Sequence, residues 1–198
     1  LHLLSRRQRQ MCIRDRFKGT FTGYGEGFDL EAAPTRLQAL IMFIRVLGEE
    51  EQALAWSGTT PFKDIEKGSQ AEHYVGYAYE KGYTNGYTAT SFKPAGAVNA
   101  YQYTEFVLRA MRYSSAANKD LSDTLLRAVN AGVLTDGDAA MLQSAAFLRA
   151  QLVYISYYAL EADLPDGSQS LADHLTDLGV FTRDEWRGSW KLVKSDRL

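Results

Sequence analysis

The sequence predicts a mainly α-helical chain built from tandem helix-loop-helix units. Three observations predict it: a short glycine phrase that returns four times, amphipathic segments on either side of that phrase, and a near-constant distance from the glycine to the next helix start. Internal repeats of this kind decide the architecture before any single helix is considered, because a short helix pair cannot bury its apolar face alone and must pack on its neighbours.

The phrase is Gly19-Thr20-Phe21-Thr22, then Gly82-Tyr83-Thr84-Asn85, Gly132-Val133-Leu134-Thr135 and Gly179-Val180-Phe181-Thr182. The last three follow segments with one apolar face: Tyr74, Tyr77 and Ala78; Leu121, Leu125, Ala128 and Val129; Leu171, Leu175 and Leu178. Each reads as one short helix stopped by glycine, which enters the left-handed backbone after a helix without a Cβ penalty.

A loop and a second helix follow each of the first three phrases. Residues 37–47 place Leu37, Leu40, Ile41, Ile44 and Leu47 on one face. Residues 100–112 place Tyr103, Phe106, Val107, Ala110 and Met111 there, and residues 148–160 place Leu148, Leu152, Ile155 and Ala159. This is the spacing that buries one stripe of a helix.

The starts of these helices also repeat. Thr35 and Gln38 form a capping box, in which the hydroxyl accepts from an amide and the glutamine reaches back. Asn99 and Gln102 offer the same chemistry. Leu148 and Gln151 keep the glutamine but lack a capping side chain, a loss of about 1 kcal/mol, so this helix start requires tertiary support. From Gly19 to Thr35 is 16 residues, from Gly82 to Asn99 is 17 and from Gly132 to Leu148 is 16. The first unit has lost its first helix to truncation on this reading, and residues 168–186 form an extra half-unit.

With 198 residues, 45% hydrophobic and 23% charged, the composition is globular. No apolar run approaches the roughly 20 residues of a membrane span. The net charge is −2 but uneven: residues 1–16 carry Arg6, Arg7, Arg9, Arg14 and Arg16 against Asp15, or +4, so the remainder is −6. An acidic body argues against nucleic-acid binding, which rests on phosphate neutralisation. Residues 1–16 resemble a translated sequencing-library adapter, and are set aside as a non-native leader rather than a basic arm or targeting peptide. The absence of a signal peptide then has no bearing on location. The one cysteine, Cys12, falls in that stretch. Without it there is no disulfide, zinc-thiolate or cysteine-nucleophile chemistry, which suits an extracellular protein.

No catalytic or metal constellation emerges, and no cofactor is called for. His73 and His174 stand alone, without a second ligand at metal spacing. Asp136-Gly137-Asp138 lacks the further acidic ligands of a calcium loop and reads as a turn. Asp184-Glu185 reads as a helix N-terminal pair rather than glycosidase carboxylates. Neither a nucleophile elbow nor a phosphate-binding loop is present. Of the twelve tyrosines, Tyr74, Tyr77 and Tyr103 lie on apolar faces and read as core. Tyr24, Tyr83, Tyr87 and Tyr101 lie in loops or near caps, where they can line a groove. Trp56, in the connector between the first two units, is assigned equally to groove and packing.

Residues 28–48, with Pro34-Thr35-Arg36 leading into a helix that ends Arg45-Val46-Leu47-Gly48, resemble the S-layer homology (SLH) domain. So does Pro61-Phe62-Lys63-Asp64-Ile65, followed by the helix through Tyr74 and the turn Gly82-Tyr83-Thr84-Asn85-Gly86. The third unit, with Phe147-Leu148-Arg149-Ala150-Gln151, is in phase. The resemblance covers roughly residues 17–186, and divides the chain into repeats at 17–57, 58–115 and 116–163, with a half-repeat and tail at 164–198.

The resemblance implies three repeats around a pseudo-threefold axis, a central helical bundle with grooves between repeats, and non-covalent anchoring to a bacterial secondary cell-wall polysaccharide at the cell surface. Its central motif, Thr-Arg-Ala-Glu, carries an arginine that meets an acidic, often pyruvylated, sugar. Arg36 matches that arginine directly and Arg149 by phase. A guanidinium binds a carboxylate through paired hydrogen bonds, and helix N-terminal amides favour an anion. The expected ligand contacts are thus Thr35, Arg36, Gln38, Arg149 and Gln151, with Tyr101 and Trp56 lining. Surface-layer proteins are further expected partners. The sequence departs from the motif at Ala100, where the middle unit has no arginine, at Leu148, and at Gln38, Gln102 and Gln151, which replace glutamate. A structural assembly module without glycan binding is the alternative that these departures favour. A cell-wall hydrolase is a third class for which these residues offer no catalytic pair.

Overall fold

The computed structural model describes residues 29–115 and 121–192, with side chains described through residue 188. The leader 1–16, Cys12, the Gly19 phrase and Tyr24 lie outside the described residues. Among the described residues there are nine helices: α1 Arg36–Val46, α2 Glu50–Leu54, α3 Gln70–Glu80, α4 Ala100–Ala110, α5 Thr124–Asn130, α6 Asp136–Ser144, α7 Arg149–Glu161, α8 Leu171–Asp177 and α9 Arg183–Leu192. Extended pairing among them is limited to the single bridges Thr35 with Ala97, Thr88 with Ser91 and Asp163 with Ser170. The mainly α-helical expectation holds.

The glycine stops are where the repeat places them. Gly82, Gly132 and Gly179 have φ of 77°, 73° and 76°. In each case the residue after the glycine donates its N–H back into the helix: Tyr83 to Ala78, Val133 to Ala128 and Val180 to Leu175. Gly48 ends α1 in the same way. The corresponding residue after α4 is Arg112, at φ 69°, which costs a side-chain-bearing residue on the order of 1 kcal/mol.

Helices α1, α4 and α7 each pack against the other two. Each is then covered by the first helix of the following unit: α3 lies on α1, α5 on α4 and α8 on α7. One continuous core results, with Tyr74, Tyr77 and Tyr103 inside it. Tyr103 meets Phe43 edge-on at 6.0 Å, and its hydroxyl bonds Ser156 Oγ at 2.5 Å, tying α4 to both neighbours.

Several expectations are corrected. The α1 stripe is rotated: Ala39 and Phe43 are fully buried whereas Leu37 and Ile41 are only partly so, because α1 packs on three sides rather than one. Leu121 precedes α5 in a left-handed conformation instead of joining its apolar face. Leu178 caps α8 and is exposed. Asp136-Gly137-Asp138 opens α6 rather than making a turn. Thr135 and Asp138 form a reciprocal capping box there, and the buried Asp138 also accepts from Tyr154 at 2.7 Å. Helix α2 was not foreseen. Asp184 and Glu185 do sit in the first turn of a helix, α9.

Candidate ligand-binding site

The starts of α1 and α7 carry the candidate site, and each is completed by a loop distant in sequence. At α1, Thr35 Oγ1 accepts from Gln38 N at 3.2 Å while Gln38 Oε1 accepts from Thr35 N at 3.1 Å. The two other leading amides are met from the next unit: Arg36 N donates to Gly96 O at 2.8 Å and Leu37 N to Pro94 O at 3.2 Å. At α7, Leu148 has no acceptor to offer, but Gln151 Oε1 accepts from Leu148 N at 3.0 Å. Arg149 N donates to Ala32 O and Ala150 N to Leu30 O, both at 3.0 Å. The loop of the first unit thus supplies the tertiary support that the missing cap requires.

These bonds correct one part of the anticipated chemistry. The leading amides of α1 and α7 are spent on neighbouring loop carbonyls and on Thr35 Oγ1 or Leu148 O, so they do not point at an anion. The cationic group at each of the two starts is a guanidinium, of Arg36 and of Arg149.

Arg36 lies across the seam between α1 and α4, and only 3% of it is exposed. Its Nε donates to Phe92 O at 2.8 Å and its Nη1 to Gln102 Oε1 at 3.0 Å. The guanidinium carbon lies 4.9 Å from the Phe92 ring centre, 5.4 Å from Phe106 and 5.9 Å from Tyr87. Burial lowers its pKa to about 10, with Tyr87 and the Asp64 carboxylate pulling the other way. It therefore remains a cation at neutral pH. Outside it stands Tyr87, half exposed, with Lys93 Nζ 3.6 Å from its ring centre.

Arg149 repeats the placement at the seam between α7 and α1. Its Nη2 donates to Gln38 Oε1 at 3.3 Å, and its Nη1 lies 3.9 Å from Asp29 Oδ2. It is more open than Arg36. Each arginine therefore reaches the N3 glutamine of the neighbouring central helix. The sequence reads Gln102 as a cap and Gln38 as a cap and ligand contact; the bond each makes to an arginine of another helix is not in that reading. Gln102 does not close a box with Asn99, whose Oδ1 accepts from Gln102 N at 2.9 Å; its side chain turns to Arg36 instead.

Of the remaining expected contacts, Tyr101 is partly buried against the core beside the α4 cap. Trp56 is core. Its Nε1 donates to Glu80 at 2.8 Å and its ring lies on Gly76, where an added Cβ would come within 2.1 Å. Its partners place it in the packing of α3 rather than beside either arginine. Tyr83 donates to Glu49 at 2.9 Å, and is held in its neutral form by burial and that carboxylate.

The loop that faces Arg36 is itself braced. Phe62 packs on Phe92 and Tyr79, with ring centres 5.9 and 5.3 Å away. Gly86, at φ 84°, lets the chain pass that ring, since a Cβ there would come within 2.3 Å of it. Among the described residues no group of three His, Cys, Asp or Glu is placed to hold a metal ion, and no helix is long and apolar enough to cross a membrane.

The S-layer homology domain family model matches residues 61–99. That segment runs from the start of the Phe62-x-Asp64 phrase through α3 to the Asn99 cap, and it includes Tyr87, Phe92 and Gly96, which contact Arg36. No curated protein matches the chain. The match, confined to that segment, suggests a cell-surface anchoring module of the kind that associates with cell-wall polymers.

Proposed function

We propose that this chain anchors a surface protein, without covalent linkage, to a bacterial secondary cell-wall polysaccharide. Acidic or pyruvylated sugar units dock at the seams between repeats. The observation that carries this reading is the chemistry at Arg36 and Arg149. Each guanidinium is fixed by a glutamine oxygen, which solvates the cation without neutralising it. A glutamate in the same place would have closed an ion pair. With glutamine there, an incoming carboxylate meets no carboxylate bonded directly to Arg36 and only the 3.9 Å pair with Asp29 at Arg149, and a charge-assisted hydrogen bond contributes about 1.5–3 kcal/mol. Tyr87 and Lys93 stand at the mouth of the first seam, where an aromatic face and a second cation suit a sugar acid.

On this reading the repeats are residues 17–57, 58–115 and 116–163 with a half-repeat beyond, arranged about a pseudo-threefold axis through α1, α4 and α7. Ala100 leaves the middle unit without a guanidinium. Two seams then bind, and two linked contacts give avidity beyond either one. The module works extracellularly at the cell wall, needs no cofactor, and shares that surface with surface-layer proteins.

Co-sedimentation with Gram-positive sacculi, before and after chemical extraction of the secondary polymer, tests the reading. Binding that disappears on extraction supports it, and failure of the folded chain to bind intact sacculi removes it for those walls. A second reading, a cell-surface assembly module without glycan binding, is favoured by the depth of Arg36 and by Ala100. Substituting both arginines leaves surface association unchanged if that reading is right.

A further inference from the structure

Asp64 belongs to the second unit and Arg36 to the first, and their side chains do not touch. Between them stands a single peptide group. Asp64 Oδ2 accepts from Lys93 N at 2.7 Å, and the carbonyl on the other side of that same peptide, Phe92 O, accepts from Arg36 Nε at 2.8 Å. The carboxylate is fixed in turn by Phe92 N on Oδ1 at 2.9 Å and by Ser91 Oγ on Oδ2 at 2.7 Å. A trans peptide directs its N–H and C=O to opposite sides. A carboxylate on the N–H and a guanidinium on the C=O therefore polarise it in the same sense, which strengthens both bonds. Lys93 is held here at φ 58°, a conformation a side-chain-bearing residue adopts only where its surroundings impose it.

We propose that Asp64 is a positioning residue for Arg36, acting through the 92–93 peptide as the remote half of an ion pair between repeats. This explains why the first unit's guanidinium can be buried beside a neutral glutamine: its countercharge is supplied one peptide away, by the next unit. It also gives the Phe62-x-Asp64 phrase a task beyond its own unit. The first seam is then a two-unit site, in which the arginine of one repeat is oriented by the acid of the next. The inference deepens the glycan-anchoring reading for its binding arm and stands apart from it for its spectroscopic arm.

The test is Asp64→Asn in the full chain, with hydrogen exchange of the arginine Nε–H groups followed by NMR without any ligand. Asparagine presents an NH2 where Oδ2 accepted, so exchange at Arg36 Nε should accelerate roughly tenfold while Arg149 Nε is unmoved. Unchanged exchange at Arg36, or equal acceleration at both arginines, overturns the proposal. If Asp64→Asn fails to fold, Ser91→Ala removes a single bond to the same carboxylate. It should accelerate Arg36 Nε by a smaller factor, about twofold to fivefold, and no acceleration there overturns the proposal equally. In co-sedimentation with sacculi, Asp64→Asn should weaken binding in the otherwise native chain and have no further effect once Arg36 is alanine. An additive loss in that pair overturns positioning through Arg36. A native chain that does not bind sacculi removes the anchoring reading while leaving the exchange result to decide the role of Asp64.

Discussion

Helices α1 and α4 are both 11 residues long and pack against each other, but they are held by different means. Helix α1 is fixed at its ends: Thr35 and Gln38 close a box, two carbonyls of the next unit take its leading amides, Arg36 crosses the seam, and Gly48 stops it. Helix α4 has lapses at both ends, with Ala100 in the arginine position and Arg112 in the glycine position. It is held from its flank instead. The buried Glu105 carboxylate bonds Arg109 at 2.7 Å, Arg127 at 2.8 Å and the Thr124 hydroxyl at 3.2 Å, joining α4 to α5. A helix can therefore lack such end contacts where a polar cluster on its flank replaces their mechanical contribution.

The most severe way to break this comparison is to remove Arg36. Arg36→Met leaves Phe92 O and Gln102 Oε1 without their donor inside the seam, and should cost about 2–4 kcal/mol in urea unfolding. Arg149→Met, at a more open seam with a 3.3 Å bond and a 3.9 Å ion pair, should cost no more than about 1 kcal/mol. Equal losses would mean that the two seams are equivalent after all.

The caps come next. Thr35→Ala should cost about 1 kcal/mol. Leu148→Thr should gain somewhat less than that, because Leu148 already has cap geometry at φ −111° and ψ 168° but gives up apolar contact. Opposite signs in thermal unfolding confirm that cap chemistry, rather than side-chain size, separates the two starts.

Acid should act on the α1 side first, through a shallower effect. At Asp64, burial opposes ionisation but is outweighed by hydrogen bonds from Phe92 N, Ser91 and Lys93 N, so its pKa is lowered. At Glu50, burial is likewise outweighed by Tyr74 and Arg45. A carboxyl whose pKa is lowered by folding contributes stability above its unfolded value and loses it as the pH falls through the folded one. Urea midpoints should therefore hold steady near neutrality and decline below a pH of about 4. Asp64→Asn should flatten that decline.

The smallest effect is at the other end of α4. Arg112→Gly removes a left-handed side-chain-bearing residue, and should stabilise by roughly 0.5 kcal/mol once glycine's extra unfolded-state freedom is counted. A loss would show that the Arg112 side chain contributes more than its backbone costs.

Much of this was legible because its causes are local. The glycine stops after α3, α5 and α8, the Thr35–Gln38 box and the demand for outside support at Leu148 all follow from residues within a turn of one another. Helix α6 was missed for a local reason too: Asp136-Gly137-Asp138 has turn composition, and the Thr135–Asp138 cap that converts it to a helix start is a weaker signal than glycine. The seams were illegible for a different reason. Gln102 and Gln38 were read as caps of their own helices, but they serve arginines 66 and 111 residues away. Asp64 reaches its loop across 27 to 29 residues. Nothing in a helical period encodes such partners; they come from which helices the core brings side by side.

The covering of α1, α4 and α7 by the helices that follow them bears on how the fold carries load. In a stacked array, tension peels units away one at a time, because each touches only its neighbours. Here, drawing out α8 strips the cover from α7 and withdraws Val180, which sits where a Cβ on Gly48 would come within 2.6 Å, from the end of α1. The turn after α8 is thus clamped onto the end of α1, the first helix described. A pull on α8 should therefore loosen α7 and the end of α1 together, in one rupture rather than a ladder of small ones.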